Sequence, residues 1–248
     1  MTSRGPPLAL ASINIERSKH LDRVAAFLRA QSPDVVCLQE LVDEDIAVFR
    51  EGLGYPHVHY LSMGRYPEHG RLRLTGIGIL ARAAFESTED IGYGGGGSGT
   101  DVVDRTSEET RYQSTRYPLA VVSVRHGADL FTIATTHFPW TDAARTSDFQ
   151  RQACDALLRL TRGRSLVVCG DFNAPRGKEI FSRLAEAWRD HVPPIYDSSI
   201  DPVLHRVPNL RLMVDGLFST PDYELSAVTL HRGVSDHRAI TALVARRT

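Results

Sequence analysis

Apolar runs of strand length recur along the whole chain, at residues 8–15, 35–39, 75–81, 119–124, 130–137, 165–169, 212–218, 225–230 and 239–244. Many alternate with polar positions or are rich in Val and Ile, the side chains that suit a pleated surface. Between some of them the period changes. Leu21, Val24, Ala25 and Leu28 share one face at helical spacing, which predicts a helix over 18–31, with Pro33 just past its end as a stop. Further helices are predicted over 45–51, over 178–188 and over 142–160, the last with Phe149, Ala153, Ala156, Leu157 and Leu160 turned inward. Strands outnumber helices. The runs 119–124 and 130–137 are joined by a hairpin-like turn containing Gly127, with no helix between them. The pattern therefore favours packed mixed sheets over a plain strand–helix alternation.

Composition narrows this to an ordinary α/β protein. At 248 residues, 42% of them hydrophobic, the chain is long enough for one large domain over 1–248. The net charge of −1 gives no overall attraction to nucleic acid, although a local basic groove stays open as a reading. The basic side chains are almost all arginine, Lys19 and Lys178 being the lysines. Arg65, Arg71 and Arg73 fall in 64–74, read as a solvated loop, with a basic rim for a polyanion as the alternative. The glycine-rich stretch 92–99 lacks the Gly-Lys-Ser/Thr ending of a phosphate loop and is expected to be a flexible surface loop. Trp140 is expected to pack under the helix that follows it, and His57 and His59 to be exposed strand-end residues rather than ligands.

Cys37, Cys154 and Cys169 are odd in number, widely spaced and without a C-x-x-C pair; Cys37 and Cys169, inside apolar runs, read as buried free thiols. That usage suits a reducing compartment. The first twelve residues lack a leader pattern, and no run reaches the length of a membrane span. The expectation is a soluble, cytoplasmic monomer.

The candidate chemistry sits where predicted strands leave the core. Asn14 and Glu40 each end a strand, and His137 ends another. Gly170-Asp171-Phe172-Asn173 follows an apolar strand directly, with Asp171 and Asn173 on one side if the chain stays extended. Asp215 interrupts the run 212–218, and Ser235-Asp236-His237 precedes the last strand. Taken singly, each has an ordinary structural reading as a turn residue, a surface carboxylate or a satisfied histidine. Their order removes that ambiguity. Asn14, Gln39-Glu40, Thr136-His137, Gly170-Asp171-Phe172-Asn173, Asp215 and Ser235-Asp236-His237 together resemble the endonuclease/exonuclease/phosphatase superfamily over residues 8–244.

The resemblance implies a four-layer α/β sandwich, two mixed β-sheets face to face with helices outside. It implies that Glu40 holds a catalytic metal, with Asn14 beside it and Asp236 as a second acidic group. The oxygen-rich set favours Mg²⁺ or Mn²⁺. It further implies that Asp171 orients or deprotonates the attacking water and that Asn173 steadies the phosphate. His237 contacts the phosphate, Asp215 fixes that histidine, and His137 assists the leaving group. Arg116 resembles an arginine supporting the phosphate side. His137 and Trp140 stand where abasic-site endonucleases carry other residues, which disfavours that subgroup. The implied activity is hydrolysis of a phosphodiester, with DNA or RNA among the candidate substrates. The alternatives are a phosphomonoesterase for a sugar, inositol or nucleotide phosphate, and a non-catalytic binding protein that kept the fold.

Overall fold

In the computed structural model, which describes residues 5–68 and 70–247, strands predominate. The first sheet contains β1 (Leu8–Asn14), β2 (Val35–Val42), β3 (His57–Glu68), β4 (Arg71–Ala81), β11 (Tyr223–His231) and β12 (Ala239–Arg246). Their order is β11-β12-β1-β2-β4-β3. The second contains β5 (Phe85–Gly94), β6 (Tyr117–His126), β7 (Asp129–His137), β8 (Val167–Asp171), β9 (Arg189–Asp190) and β10 (Asp215–Ser219). It runs β5-β6-β7-β8-β10-β9. Each sheet has one parallel pair, β1 with β2 and β7 with β8, and is otherwise antiparallel. The two sheets pack face to face, and helices α1 (Leu21–Gln31), α2 (Ile46–Arg50), α4 (Asp148–Thr161) and α5 (Glu179–Ala187) lie outside them. A short helix, α3 (Glu108–Ser114), precedes β6. This is the expected four-layer sandwich. The first four residues of the stretch read as lacking a leader lie outside the described residues. None of the described helices is long and apolar enough to cross a membrane.

Strand alternation sorts the core into layers. Leu8, Leu10, Val35 and Cys37 point between the sheets, whereas Ala11, Ile13, Val36 and Leu38 point outward under Val24, Ala25 and Leu28 of α1. On the opposite side, Ala153, Cys154 and Leu157 of α4 and Ile180, Phe181 and Leu184 of α5 close the other outer layer. Each buried Leu or Phe contributes about 1.5–3 kcal/mol relative to exposure.

The structure corrects several sequence expectations. No apolar run marks β3, expected only from the strand-end reading of His57 and His59, or β5; both are edge strands, and β5 in FESTEDIGYG is mostly exposed, with a polar run at 86–90. Edges carry polar residues on purpose, so an apolar run is the wrong signature for them. Residues 64–68 and 71–74 pair in the β3–β4 ladder and are not a loop. Helix α1 starts three residues later than predicted: residues 18–20 are turns, with the Leu21 N–H bonded to the Ser18 carbonyl. The predicted helix 142–160 breaks into a 3-10 turn, Asp142–Ala144, and α4, since Ala143 and Ala144 have positive φ. The 92–99 stretch is not a loose loop: Gly92–Gly94 belong to β5, and Gly95 to Gly97 pass so close to the backbone of residues 113–115 that a Cβ would collide.

All three cysteines are buried and free, Cys37 and Cys169 as expected and Cys154 besides. Burial pushes the Cys37 thiol well up. Alkylating reagents should therefore leave the native protein's turnover intact. Replacing all three with Ala should cost about 1 kcal/mol per site through lost packing and leave metal dependence unchanged. Inactivation by a thiol reagent without unfolding would contradict this.

Candidate active site

Topology brings the candidate residues to one edge of the sandwich. Strands β1, β7 and β8 end there, delivering Asn14, His137 and Asp171; β2 delivers Glu40 not from its end, as expected, but from two residues before it, since the strand continues to Val42. Strands β10 and β12 run the other way, so their starts deliver Asp215 and the segment Ser235-Asp236-His237. Asp215 is paired with Asp171 itself in the β8–β10 ladder. It does not interrupt a strand: residues 212–214 are non-strand chain held by Ser199, Arg176 and Phe172 backbone bonds, and Asp215 opens β10.

Local backbone devices aim the side chains. Glu40 sits in a β-bulge between Gln39 and Leu41 with φ of 57°. The extra residue re-aims it to the cleft while Gln39 points between the sheets and donates to Thr135 Oγ1 at 2.9 Å. Gly170 has φ of 147° and passes against the Thr136 carbonyl, a place closed to any Cβ. Asn173, at φ of 47°, gives its backbone N–H to Asp171 Oδ1 at 2.8 Å and its side-chain amide to the Phe138 carbonyl at 2.9 Å.

The centre of the site is the Asp171 carboxylate, 2% exposed. Asn14 Nδ2 donates to its Oδ2 at 3.0 Å across the two sheets. His137 Nε2 lies 3.5 Å and His237 Nε2 3.9 Å from the same oxygen. Burial pushes the Asp171 carboxyl up, but the charges of His237 and His137 and the Asn173 N–H outweigh it and hold it at about 2. His237 Nδ1 is bound to Asp215 Oδ2 at 2.7 Å. Burial disfavours the His237 charge, yet Asp215 and Asp171 together hold its pKa well above the usual imidazole range. Burial likewise opposes the His137 charge, and its bond to Asp171 more than offsets this, so its pKa is also raised. The result is an ionised carboxylate between two imidazoles whose charged forms it favours.

Beside this unit the cleft wall is acidic. Glu40, Asp236 and Glu16 all line the cleft. Asp236 is pushed up by burial, and the nearby charges of Glu16 and Glu40 push it further, against the opposing charge of His237. Glu40 Oε2 is paired with Arg17 at 3.2 Å and its Oε1 is 3.5 Å from Asn14 Nδ2. Glu16, His20 and Asp236 bring ligand-type atoms within 4.8 Å of one another. An Asp236 carboxyl raised by neighbouring carboxylates in this way fits a hard divalent cation with oxygen ligands.

Arg116 is not brought to this cleft: its guanidinium pairs with Asp90 on the neighbouring edge strand, and the side chain is absent from the lining. Trp140 is 39% exposed at the cleft rim, with Arg111 over its ring, instead of packed under α4. Of the 64–74 arginines, Arg73 is consumed by Glu68, Glu44 and Asp45, and none lines the cleft. His57 and His59 open β3 and are half-buried, with His59 bonded to the Glu89 carbonyl.

Sequence reading missed Arg17, Ser199 and Asp201. Ser199 Oγ accepts the backbone N–H groups of Val214 and Asp215, both at 3.0 Å. Asp201 donates its backbone N–H to the Asp236 carbonyl at 2.8 Å and accepts from the Gly233 N–H at 2.7 Å. These two residues tie the Asp215 and His237 segments together. Their only sequence signal was the polar pair Ser198-Ser199 before Asp201, indistinguishable from a surface turn.

The sequence model of the Endonuclease/Exonuclease/phosphatase family matches residues 11–237. No curated protein matches by sequence. Solved structures do. An endonuclease/exonuclease/phosphatase from Beutenbergia cavernae superposes with a TM-score of 0.74 at 18% identity, over 97% of this chain and 72% of that one. The human Nocturnin catalytic domain, with a bound sulfate, gives 0.69 at 18% identity over 98% and 94%. ANGEL2, a 2′,3′-cyclic phosphatase in complex with adenosine-2′,3′-vanadate, gives 0.71 at 14% identity over the whole of both chains. At these identities the superpositions speak for the fold.

Proposed function

We propose that this chain, which belongs to the endonuclease/exonuclease/phosphatase family, is a Mg²⁺- or Mn²⁺-dependent phosphodiesterase. The observation that carries the reading is the buried Asp171 carboxylate held between Asn14, His137 and His237, with His237 anchored on Asp215. A solitary buried aspartate would be costly; this one is matched by donors on every side. ANGEL2 handles a cyclic diester of a nucleoside, which supports a phosphodiester, nucleic acid included, as the substrate class.

Asp171 orients the attacking water and takes its proton as the new P–O bond forms. Asn14 fixes one Asp171 oxygen and the Asn173 N–H the other, so the carboxylate cannot rotate away. His237, locked at Nδ1 by Asp215, presents Nε2 to the phosphoryl oxygens and stabilises the charge that gathers there. His137 carries its proton to the departing oxygen. A divalent cation held by Glu40 and Asp236, with Asn14 beside it, would neutralise the phosphate and stabilise the leaving oxygen.

The test is hydrolysis of bis-p-nitrophenyl phosphate beside a phosphomonoester panel. Turnover of the diester should disappear in EDTA and return with Mg²⁺ or Mn²⁺. Glu40→Gln should raise the metal concentration needed for half-maximal rate at least about tenfold with unchanged circular dichroism. Full turnover in EDTA would remove the reading, and hydrolysis of monoesters alone would replace it with a phosphomonoesterase.

A further inference from the structure

Three guanidinium groups of the cleft take no part in the chemistry above. Arg105 lies between the Arg65–Val102 bridge and α3, Arg111 lies on α3, and Arg206 lies in the connection from β9 to β10. All three line the same cleft as His137, Asp171 and His237. The other cleft arginines are neutralised: Arg17 by Glu40 and Glu68, and Arg145 by Glu108. Among the described residues, Arg105, Arg111 and Arg206 have no carboxylate at ion-pairing distance. Arg111 is instead steadied over the Trp140 ring, 4.5 Å from its centroid.

These charges also feel one another. The Arg105 guanidinium is pushed down by burial first, and then by the charges of Arg111, Arg17 and Arg206. Converging cations without an anion cost free energy, and an incoming phosphate removes that cost while accepting several charge-assisted hydrogen bonds. The cleft, about 910 Å³ in volume, has room for a ligand of nucleotide size that spans both the catalytic end and the arginines.

We propose that Arg105, Arg111 and Arg206 form a second anion subsite, which takes a phosphate of the substrate other than the scissile one. The substrate class is then a phosphoester with at least two phosphates. The inference rests on the phosphodiesterase reading for the role of the first phosphate. A nucleic-acid backbone and a small bisphosphate share this chemistry.

Calorimetric titration of the full chain in EDTA tests it. Adenosine 3′,5′-bisphosphate is compared with adenosine 3′-monophosphate, and a 5′-phosphorylated dinucleotide with its 5′-hydroxyl form. The second phosphate should tighten binding by about tenfold or more in at least one pair. In R105A/R206A that advantage should shrink to less than about threefold. In Arg125→Ala, which removes an arginine outside the cleft, it should persist. An advantage confined to the mononucleotide pair supports a small bisphosphate, and one confined to the dinucleotide pair supports a nucleic-acid backbone. No advantage in the native chain, or one that survives in R105A/R206A, overturns the subsite. Turnover of bis-p-nitrophenyl phosphate, measured separately with Mn²⁺, decides the phosphodiesterase reading, so the two can fail independently.

Discussion

Replacing His237 with alanine should lower turnover of bis-p-nitrophenyl phosphate by on the order of a hundredfold or more, the cost of losing one charge-stabilising donor. Its raised pKa arises from Asp215 and Asp171, which overcome the burial that would strip the proton. Asp215→Asn should also lose activity, because an amide cannot hold the imidazolium as a carboxylate does. The double variant should lose little beyond the worse single one, since the pair shares one hydrogen bond of 2.7 Å and acts as a unit. His137→Ala should cost less with nitrophenolate leaving groups, which depart without a proton, than with an alkoxide. Additive losses at Asp215 and His237 would show that the two work separately. Asp171→Asn serves as the reference for loss of the central carboxylate.

Gly170→Ala should be the most damaging change made without touching a reacting group. The residue lies in the parallel β7–β8 ladder, paired with Thr136, at φ of 147°. A methyl there meets the Thr136 carbonyl oxygen inside van der Waals contact, with the carbonyl carbon at 3.1 Å and the backbone nitrogen at 3.2 Å. Neither strand can retreat, because β7 and β8 are central strands flanked by β6 and β10. Backbone strain and overpacking together should cost ~3–5 kcal/mol. For a chain of this length that lowers Tm by on the order of 10 °C. Protein that still folds should lose turnover, as Asp171 is the next residue and moves with the strand. A variant that melts with the native protein and keeps its rate would refute this account of the turn.

The sequence by itself determined the central strands and the outer helices, and it named most of the side chains that the fold gathers around Asp171. Leu8–Asn14, Val35–Val42 and Asp129–His137 are legible because buried strands leave dense apolar runs. Asn14, Glu40, His137, Asp171, Asp236 and His237 are legible through their order along the chain, since each alone also reads as a turn, surface or structural residue. Tertiary structure alone decided what lies at the edges and between distant segments. β5 carries an exposed polar run at 86–90 because one of its flanks meets solvent, and Arg116 is spent on Asp90 of that strand, 26 positions away. Asp215 reads as an interruption of an apolar run, yet it opens a strand because Ser199 holds the preceding backbone. The three unpaired cleft arginines come from helix α3, the segment just before it and a loop about a hundred residues further on, and no local pattern distinguishes them from Arg65 or Arg73. Local propensity and hydrophobic period report on neighbours in the chain. Charge pairing, bulges and close backbone approaches are set by neighbours in space.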